Sequence, residues 1–486
     1  MTPCNLFLRI KGFALSGIML VFCALYLTAQ DTQRFSQTQD REPKQILACT
    51  IGDGFTLAAV GDVLVPRPAS MTKDKEFKGA VGILGSADVA FGNLEGNIID
   101  IRHFKGYPYG DSGDVWLTGA PELAGDLKDM GFRLLSRANN HTTDWGVEGM
   151  HETDRRLDEV GLIHAGTGET RAASRAARFL DSPKGRIGLV SMASTFNTAS
   201  MAMAPQGEAP GRPGLNALRT KPYALVTSEM MQALHKIREA QPQGSIEPTF
   251  EEQKPGELDL FGTHYRIANH TGFSFEINQT DLREILQAIR QGKENSDFLI
   301  ATIHAHEPGN WSEEPADFLP VLARLAIDSG ADVFIGHGPH QLRGIEIYKG
   351  KPIFYSLGNF FYQDQLQQPM AGDLYESSGF DPSTTTDAEL GAKFVNLLFN
   401  TPIWYESVIA VSDFEGGTVS EIRLYPIELG FTMRNADKGI PRRASPTQSR
   451  TILKRLQRLS QTYGTLIDIE QDIGVIRVAK EQGNAK

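Results

Sequence analysis

Six short apolar runs in this chain each stop abruptly at residues that bind cations or handle protons. Ala58-Ala59-Val60 runs into Gly61-Asp62, Val89-Ala90-Phe91 into Asn93-Leu94-Glu95, and the run from Phe132 to Ala138 into Asn139-Asn140-His141. Further along, Phe298 to Ile303 ends in His304-Ala305-His306, Val333-Phe334-Ile335 leads to His337 and His340, and Ile353-Phe354-Tyr355 ends in Ser356-Leu357-Gly358-Asn359. In open α/β sheets, ligands gather in the crevice outside the carboxyl ends of the strands. The repetition therefore points to one site assembled from many strands.

Between these runs the pattern changes period. Helical spacing is expected over Pro121 to Met130, Val147 to Val160 and Ala316 to Ser329, and again after Thr280, taken as an N-cap ahead of Leu282, Ile285, Leu286 and Ile289. Short strands alternating with helices predict an α/β fold. Hairpins are expected to turn at Lys349-Gly350 and Glu415-Gly416-Gly417, which would make the sheet edges antiparallel, and Ile452, Leu453, Leu456 and Leu459 mark a C-terminal helix. The stretch 221–272, with Gln241-Pro242-Gln243-Gly244 and Glu251-Glu252-Gln253-Lys254-Pro255, breaks the rhythm and reads as an insertion. Residues 363 to 395 read as a polar surface loop near the site.

At the amino end, Arg9 and Lys11 precede the apolar stretch Phe13 to Leu27, followed by Thr28-Ala29-Gln30. This is the layout of a secretory signal peptide, and the stretch is shorter than the ~20 residues of a spanning helix. Residues 1–30 are thus expected to be a signal peptide or amino-terminal anchor and 31–54 a linker. The main domain follows over 55–430, with a helical extension over 431–486. The expected location is the periplasm or cell exterior, with or without an amino-terminal anchor. Of the three cysteines only Cys49 lies beyond the leader, so no internal disulfide is expected. A net charge of −11 offers nucleic acid no general attraction.

Imidazole nitrogen and carboxylate oxygen, with amide oxygen as a weaker donor, suit a divalent transition metal, and Mn, Zn or Fe would all accept the mixture. Asp62 and Glu95 can supply anionic oxygens, Asn140 a neutral one, and His304, His337 and His340 imidazoles, for one ion or two. A pair of ions activates water and neutralises charge on a phosphoryl or acyl oxygen. Asn139 and His141 are then the candidate catalytic groups, His141 as general acid. Asn93, His306, Arg343 and Asn359 are candidate substrate contacts. Each has a plainer reading: a turn residue for Asn93 and Asn359, packing for His306, an ion pair for Arg343. Arg137 offers the same choice as Arg343.

Gly61-Asp62, Asn93-Leu94-Glu95-Gly96, Ala138-Asn139-Asn140-His141 with Asp144 and Gly146, and Arg212-Pro213-Gly214 resemble the CapA family of bacterial poly-γ-glutamate capsule synthesis. So do Gly330-Ala331-Asp332, Gly336-His337-Gly338-Pro339-His340 and Tyr355-Ser356-Leu357-Gly358-Asn359-Phe360. The resemblance covers about residues 55–430. That family in turn resembles calcineurin-like metallophosphoesterases, which implies two mixed β-sheets sandwiched between helices, a four-layer α/β/β/α arrangement. It also implies metal roles for Asp62, Glu95, Asn140, His304, His337 and His340, with Asn140-His141 matching an Asn-His pair. The implied partners are an anionic polymer or a phosphorylated or amide-linked substrate, and membrane synthase subunits. Three departures stand out. Leu64 occupies the place of a histidine, Gly338-Pro339 widens the last histidine pair, and His304-Ala305-His306-Glu307 replaces a His-Trp-Gly pattern.

Overall fold

The computed structural model describes residues 50–109, 115–246 and 254–478. The expected leader, all but the last residues of the expected linker, and Cys49 lie outside them. Two mixed sheets carry the fold. In the first, Phe55–Leu64 pairs in parallel with Val89–Leu94, which pairs in parallel with Phe132–Ser136 and that with Ile163–Ala165. On its other flank Phe55–Leu64 meets the antiparallel hairpin Glu406–Glu415 and Thr418–Glu428, while Asn359–Tyr362 joins its carboxyl end in parallel. In the second sheet Gly185–Ala193, Phe298–His304, Val333–His337 and Lys351–Phe354 run parallel, with antiparallel edges at Arg178–Ser182 and Ile345–Tyr348. Both expected hairpin turns are present.

Parallel strands covered on both faces read as continuous apolar runs, which is why the runs were visible in the sequence. Side chains of successive residues alternate between faces. Phe55, Leu57 and Ala59 therefore enter the core between the sheets with Leu189, Phe298, Ile300, Val333 and Ile335. Ala58 and Val60 enter the outer core instead, against Phe77, Leu84, Leu127 and Leu157 from the helices Lys75–Ser86, Leu123–Asp129 and Gly146–Val160. On the far side Leu299, Ala301 and Ile303 pack on Ile285, Ile289 and Leu322 of the helices Gln279–Glu294 and Phe318–Asp328. The order is helix, sheet, sheet, helix. Burying each such leucine or isoleucine stabilises the fold by about 1.5–3 kcal/mol, so three cores of this size hold the two sheets in fixed register. The helix Pro446–Gln461 adds Ile452, Leu453, Leu456 and Leu459 to the core between the sheets.

Two expectations are corrected. The helix after residue 277 is capped by Asn278, whose side chain accepts from the amides of Thr280 and Asp281, so Thr280 lies inside the helix. Residues 363–395 are no simple loop: they form the helix Gly372–Ser377 and most of the helix Asp387–Leu398, the latter opened by a Thr386/Glu389 capping box. The interrupted stretch after Lys221 takes part in a four-stranded sheet built from Thr220–Val226, Glu257–Leu260, Thr263–Ile267 and Gly272–Ile277. With the helix Ser228–Glu239 it encloses a small core of Met231, Leu258 and Leu260. Among the described residues no helix is long and apolar enough to cross a membrane.

Candidate metal centre

Where the two sheets face each other, their carboxyl ends converge because main chain can approach main chain. A Cβ on Gly61 would lie 1.7 Å from the carbonyl oxygen of Gly358, and one on Gly338 would lie 2.9 Å from backbone atoms of Ala305 at a φ of 112°. Only glycine allows either approach. The amide of Asp62 is bonded to the Gly358 carbonyl at 3.0 Å, and Asp62 pairs in register with Asn359. The carboxylate of Asp62 is thereby fixed at the seam.

Asp62 is fully buried. Its Oδ1 accepts from Asn93 Nδ2 at 2.8 Å and its Oδ2 from the Gly338 amide at 3.1 Å. Asn93 Nδ2 also lies 3.2 Å from His304 Nδ1, and Asn93 Oδ1 accepts from Asn139 Nδ2 at 3.2 Å. Asn139 further donates to the Leu94 carbonyl at 2.8 Å and accepts from the His141 amide at 3.1 Å. Asn93 and Asn139 thus form an amide chain that orients Asp62, His304 and the loop carrying Glu95. Arg137, also fully buried, donates to the Gly96 carbonyl at 2.6 Å from the other side of that loop.

Glu95 is the centre of the arrangement. It is 2% exposed, and both carboxylate oxygens lack a hydrogen-bond partner. Its Oε1 lies 3.6 Å from His304 Nε2, 3.9 Å from His141 Nε2 and 4.0 Å from His340 Nε2. Two overlapping sets have ligand atoms all within 4.8 Å of one another: Asp62, Glu95 and His304, and Glu95, His306 and His340. A buried carboxylate without partners, shared by two nitrogen-bearing sets, is the donor chemistry of a divalent transition metal. The residues present fit such an ion.

The tautomers follow from neighbours. His304 Nδ1 faces the Asn93 amide donor and its Nε2 lies 2.8 Å from His306 Nε2, so one proton is shared between the two rings, and an ion held through either Nε2 would displace it. His306 donates from Nδ1 to Asn310 Oδ1 at 2.6 Å. His340 donates from Nδ1 to Asn359 Oδ1 at 3.0 Å, which turns its Nε2 lone pair towards Glu95. Supporting partners of this kind fix ring orientation and ligand basicity.

Burial acts on the two kinds of group in opposite directions. It raises Asp62 to about 7 and Glu95 well above the usual carboxylate range, the latter helped by the charges of Asp62, Asp364 and Asp144. It lowers His340 to about 4 and, aided by the other histidines, holds His304 and His306 well below their usual value. His141 differs. Burial opposes its charge, but Asp144, bonded to its Nδ1 at 2.8 Å, with Asp364 and Asp62 outweighs burial and raises it.

The remaining expected residues fall as follows. His306, named as a substrate contact, is brought among the candidate ligands. His337, expected as a ligand, lies in neither set; it shares a ladder rung with His304, its two buried ring nitrogens have no hydrogen-bond partner, and its ring lies 5.6 Å from Phe91. Asn140, also expected as a ligand, has a buried Oδ1 without a hydrogen-bond partner. Asn93 and Asn359 are fully buried supports; Asn359 Nδ2 donates to the carbonyls of His340 and Trp404. Arg343 is also fully buried. Among the described residues it makes no ion pair within 4 Å and instead binds carbonyls of the 306–312 loop, to Ser312 at 3.2 Å and Gly309 at 3.3 Å. Two residues escaped the sequence reading. Asp364, raised to about 6 by burial, has an unpartnered Oδ1 and acts electrostatically on His141 and Glu95. It follows Phe360-Phe361-Tyr362, so the rule of apolar runs ending in polar groups would have found it. Asn310, which holds His306, sits in a loop with no such signal.

These features define a class: an α/β protein of metallophosphoesterase-like architecture, with a buried carboxylate and imidazole centre at the carboxyl ends of two facing sheets. The chain belongs to the bacterial capsule synthesis protein family PGA_cap, which it matches over residues 56–364, more than half its length. It is 50% identical over 441 residues to protein y4sH of Sinorhizobium fredii, covering 89% of this chain and 95% of that one. It is 23% identical to the capsule biosynthesis protein CapA of Bacillus anthracis over 71% of this chain and 68% of that protein. A Mycobacterium tuberculosis relative named as a probable polyglutamine synthesis accessory protein is 22% identical over 80% of this chain and 76% of its own.

Proposed function

We propose that this protein is an exported, metal-dependent hydrolase or transferase acting on a phosphoryl, amide or ester linkage of an anionic cell-surface polymer, with poly-γ-glutamate the form that the CapA resemblance of its sequence implies. The observation that carries the reading is Glu95, buried, unpartnered and common to two sets of candidate ligands. Asp62, Glu95 and His304 would hold one divalent ion, and Glu95, His306 and His340 a second or alternative one. When bound, such an ion supplies Lewis acidity and lowers the pKa of water. Asn93 orients Asp62 and His304, and Asn359 orients His340. His141, whose hold on a proton Asp144 strengthens, presents Nε2 on the Glu95 side, where a leaving oxygen or nitrogen can take its proton. Export rests on the leader at residues 1–30, and a membrane synthase is the expected neighbour.

A second reading, a non-catalytic accessory subunit, is favoured by Leu64, a buried aliphatic residue where the phosphoesterase pattern has a histidine. Metal analysis of the purified full chain tests the first step. One or two Mn, Zn or Fe ions per chain are expected, with loss in Asp62→Ala. No bound divalent ion under any loading condition removes the hydrolase, and bound metal with polymer production unaffected by His141→Ala leaves the accessory role.

A further inference from the structure

Beside the histidines lies an open cavity of about 600 Å³, within the roughly 300–1,000 Å³ of small-molecule sites. Its wall backs directly onto the centre. Gln341 follows His340 and donates to the carbonyl of Asn310, the residue that holds His306, and the Trp404 carbonyl accepts from Asn359, which holds His340.

The lining is of one chemical kind. Trp311 is 64% exposed. It lies near-parallel to Phe399, 13° between planes with centroids 6.3 Å apart, and edge-on to Trp404 at 5.9 Å. A large aromatic so exposed, held in place by two other aromatics, is a platform with a free apolar face. Around it stand the amides of Gln341 and Asn400 and the carboxylates of Glu313 and Glu314. Gln341 contributes little polar surface to the lining: it is 2% exposed, and its Nε2 donates to the Asn310 carbonyl. Among the described residues no lysine or arginine lines the cavity; Arg458 is bonded to its Glu313 at 2.7 Å, and the buried Arg343 donates to its Ser312 carbonyl at 3.2 Å.

A polyanion would meet two carboxylates and, among the described residues, no lysine or arginine in the lining. A flat apolar face ringed by hydroxyl donors is what an aromatic platform with amides and carboxylates recognises, and this is the surface of a pyranose ring. We propose that the cavity is a carbohydrate-binding subsite that takes a neutral hexose or N-acetylhexosamine ring of a glycan, stacked on Trp311, with ring hydroxyls on Asn400 and on the carboxylates of Glu313 and Glu314. This goes beyond the hydrolase reading and does not depend on it, since the cavity needs no metal to be formed.

Two of the chain's four tryptophans line the cavity, so intrinsic fluorescence reports on it. The full chain is titrated in EDTA with cellohexaose, chitohexaose and poly-γ-glutamate. Saturable change with at least one oligosaccharide is expected at a Kd on the order of 1 mM or below. Trp311→Ala should weaken it at least about tenfold and Trp311→Tyr by less, in line with loss and retention of a stacking face. Trp311 is exposed, so both variants should fold. The proposal falls if neither oligosaccharide gives saturable change, if Trp311→Ala binds as tightly as the parent, or if poly-γ-glutamate binds with the same dependence on Trp311. Because the titration is free of metal, its failure leaves the metal result untouched, and the converse holds.

Discussion

The sheet built on Phe55–Leu64 and the sheet built on Phe298–His304 reach the same seam with opposite chemistry. From the first come Asp62 and Glu95, carboxyls that burial pushes up; from the second come His304, His306 and His340, imidazoles that burial pushes down. One physical cause, loss of water, drives both halves towards neutrality. A cation reverses this for the acids alone, because the imidazoles have already lost their protons. The first sheet therefore sets how strongly protons compete for the centre, and the second sets which soft or borderline ions it prefers.

The largest way to break this comparison is at the residue both sets share. Glu95→Gln keeps shape and removes charge; it should cost metal affinity more than the 10- to 100-fold typical of a supporting residue and abolish both occupancies together, read by calorimetry. Loss of only one ion would show that the sets are independent. Next in size is pH. With Asp62 near 7, it holds a proton below neutrality that a cation must displace, and Glu95 is shifted in the same direction, whereas His340 near 4 holds none. Affinity should fall as pH drops from about 7.5 to 5.5, by up to roughly tenfold per unit for each proton displaced. Calorimetry in buffers of different ionisation enthalpy should show proton release near neutral pH. A pH-independent affinity would place the carboxyls outside the centre.

The smallest effect sharpens the contrast between two residues on one rung. His304 lies among the acids; His337 meets Phe91 with both nitrogens unpartnered, and burial lowers it to about 3. His337→Leu should leave metal content unchanged and stabilise the protein by about 1 kcal/mol, since an unsatisfied buried polar group costs about 1–3 kcal/mol. The sign with pH is definite. Between about 6.5 and 3 the unfolded chain binds a proton at His337 that the folded chain does not, so the parent loses stability as pH falls through that window and the variant loses less. Urea midpoints at pH 7 and pH 5 read both effects. Loss of metal would instead put His337 back among the ligands.

Much of the scaffold was legible because strands covered on both faces leave unbroken apolar runs, and because their polar ends stand out against them. The division of labour at those ends was not legible. Asn93, Asn359 and Arg343 have the residue types of substrate contacts, yet their partners are side chains and carbonyls from distant segments, 31 to 211 positions away for Asn93. Such partnering is set by how the sheets stack, which no local pattern records. The helix Asp387–Leu398 is a different case. Its Thr-x-x-Glu capping box was present in the sequence and was masked by the polar, glycine-rich residues around it.

The crossing of Gly61 and Gly358 has a consequence for how such a centre can change. Where a methyl group finds no room, the span from Asp62 to Asn359 and His340 belongs to the main chain and is indifferent to side-chain exchange. The pocket's bore is therefore inherited while its fittings are interchangeable. Selection for a new ion should act on the segment 305–310, whose Asn310 aims His306, and should leave the glycines of the seam alone.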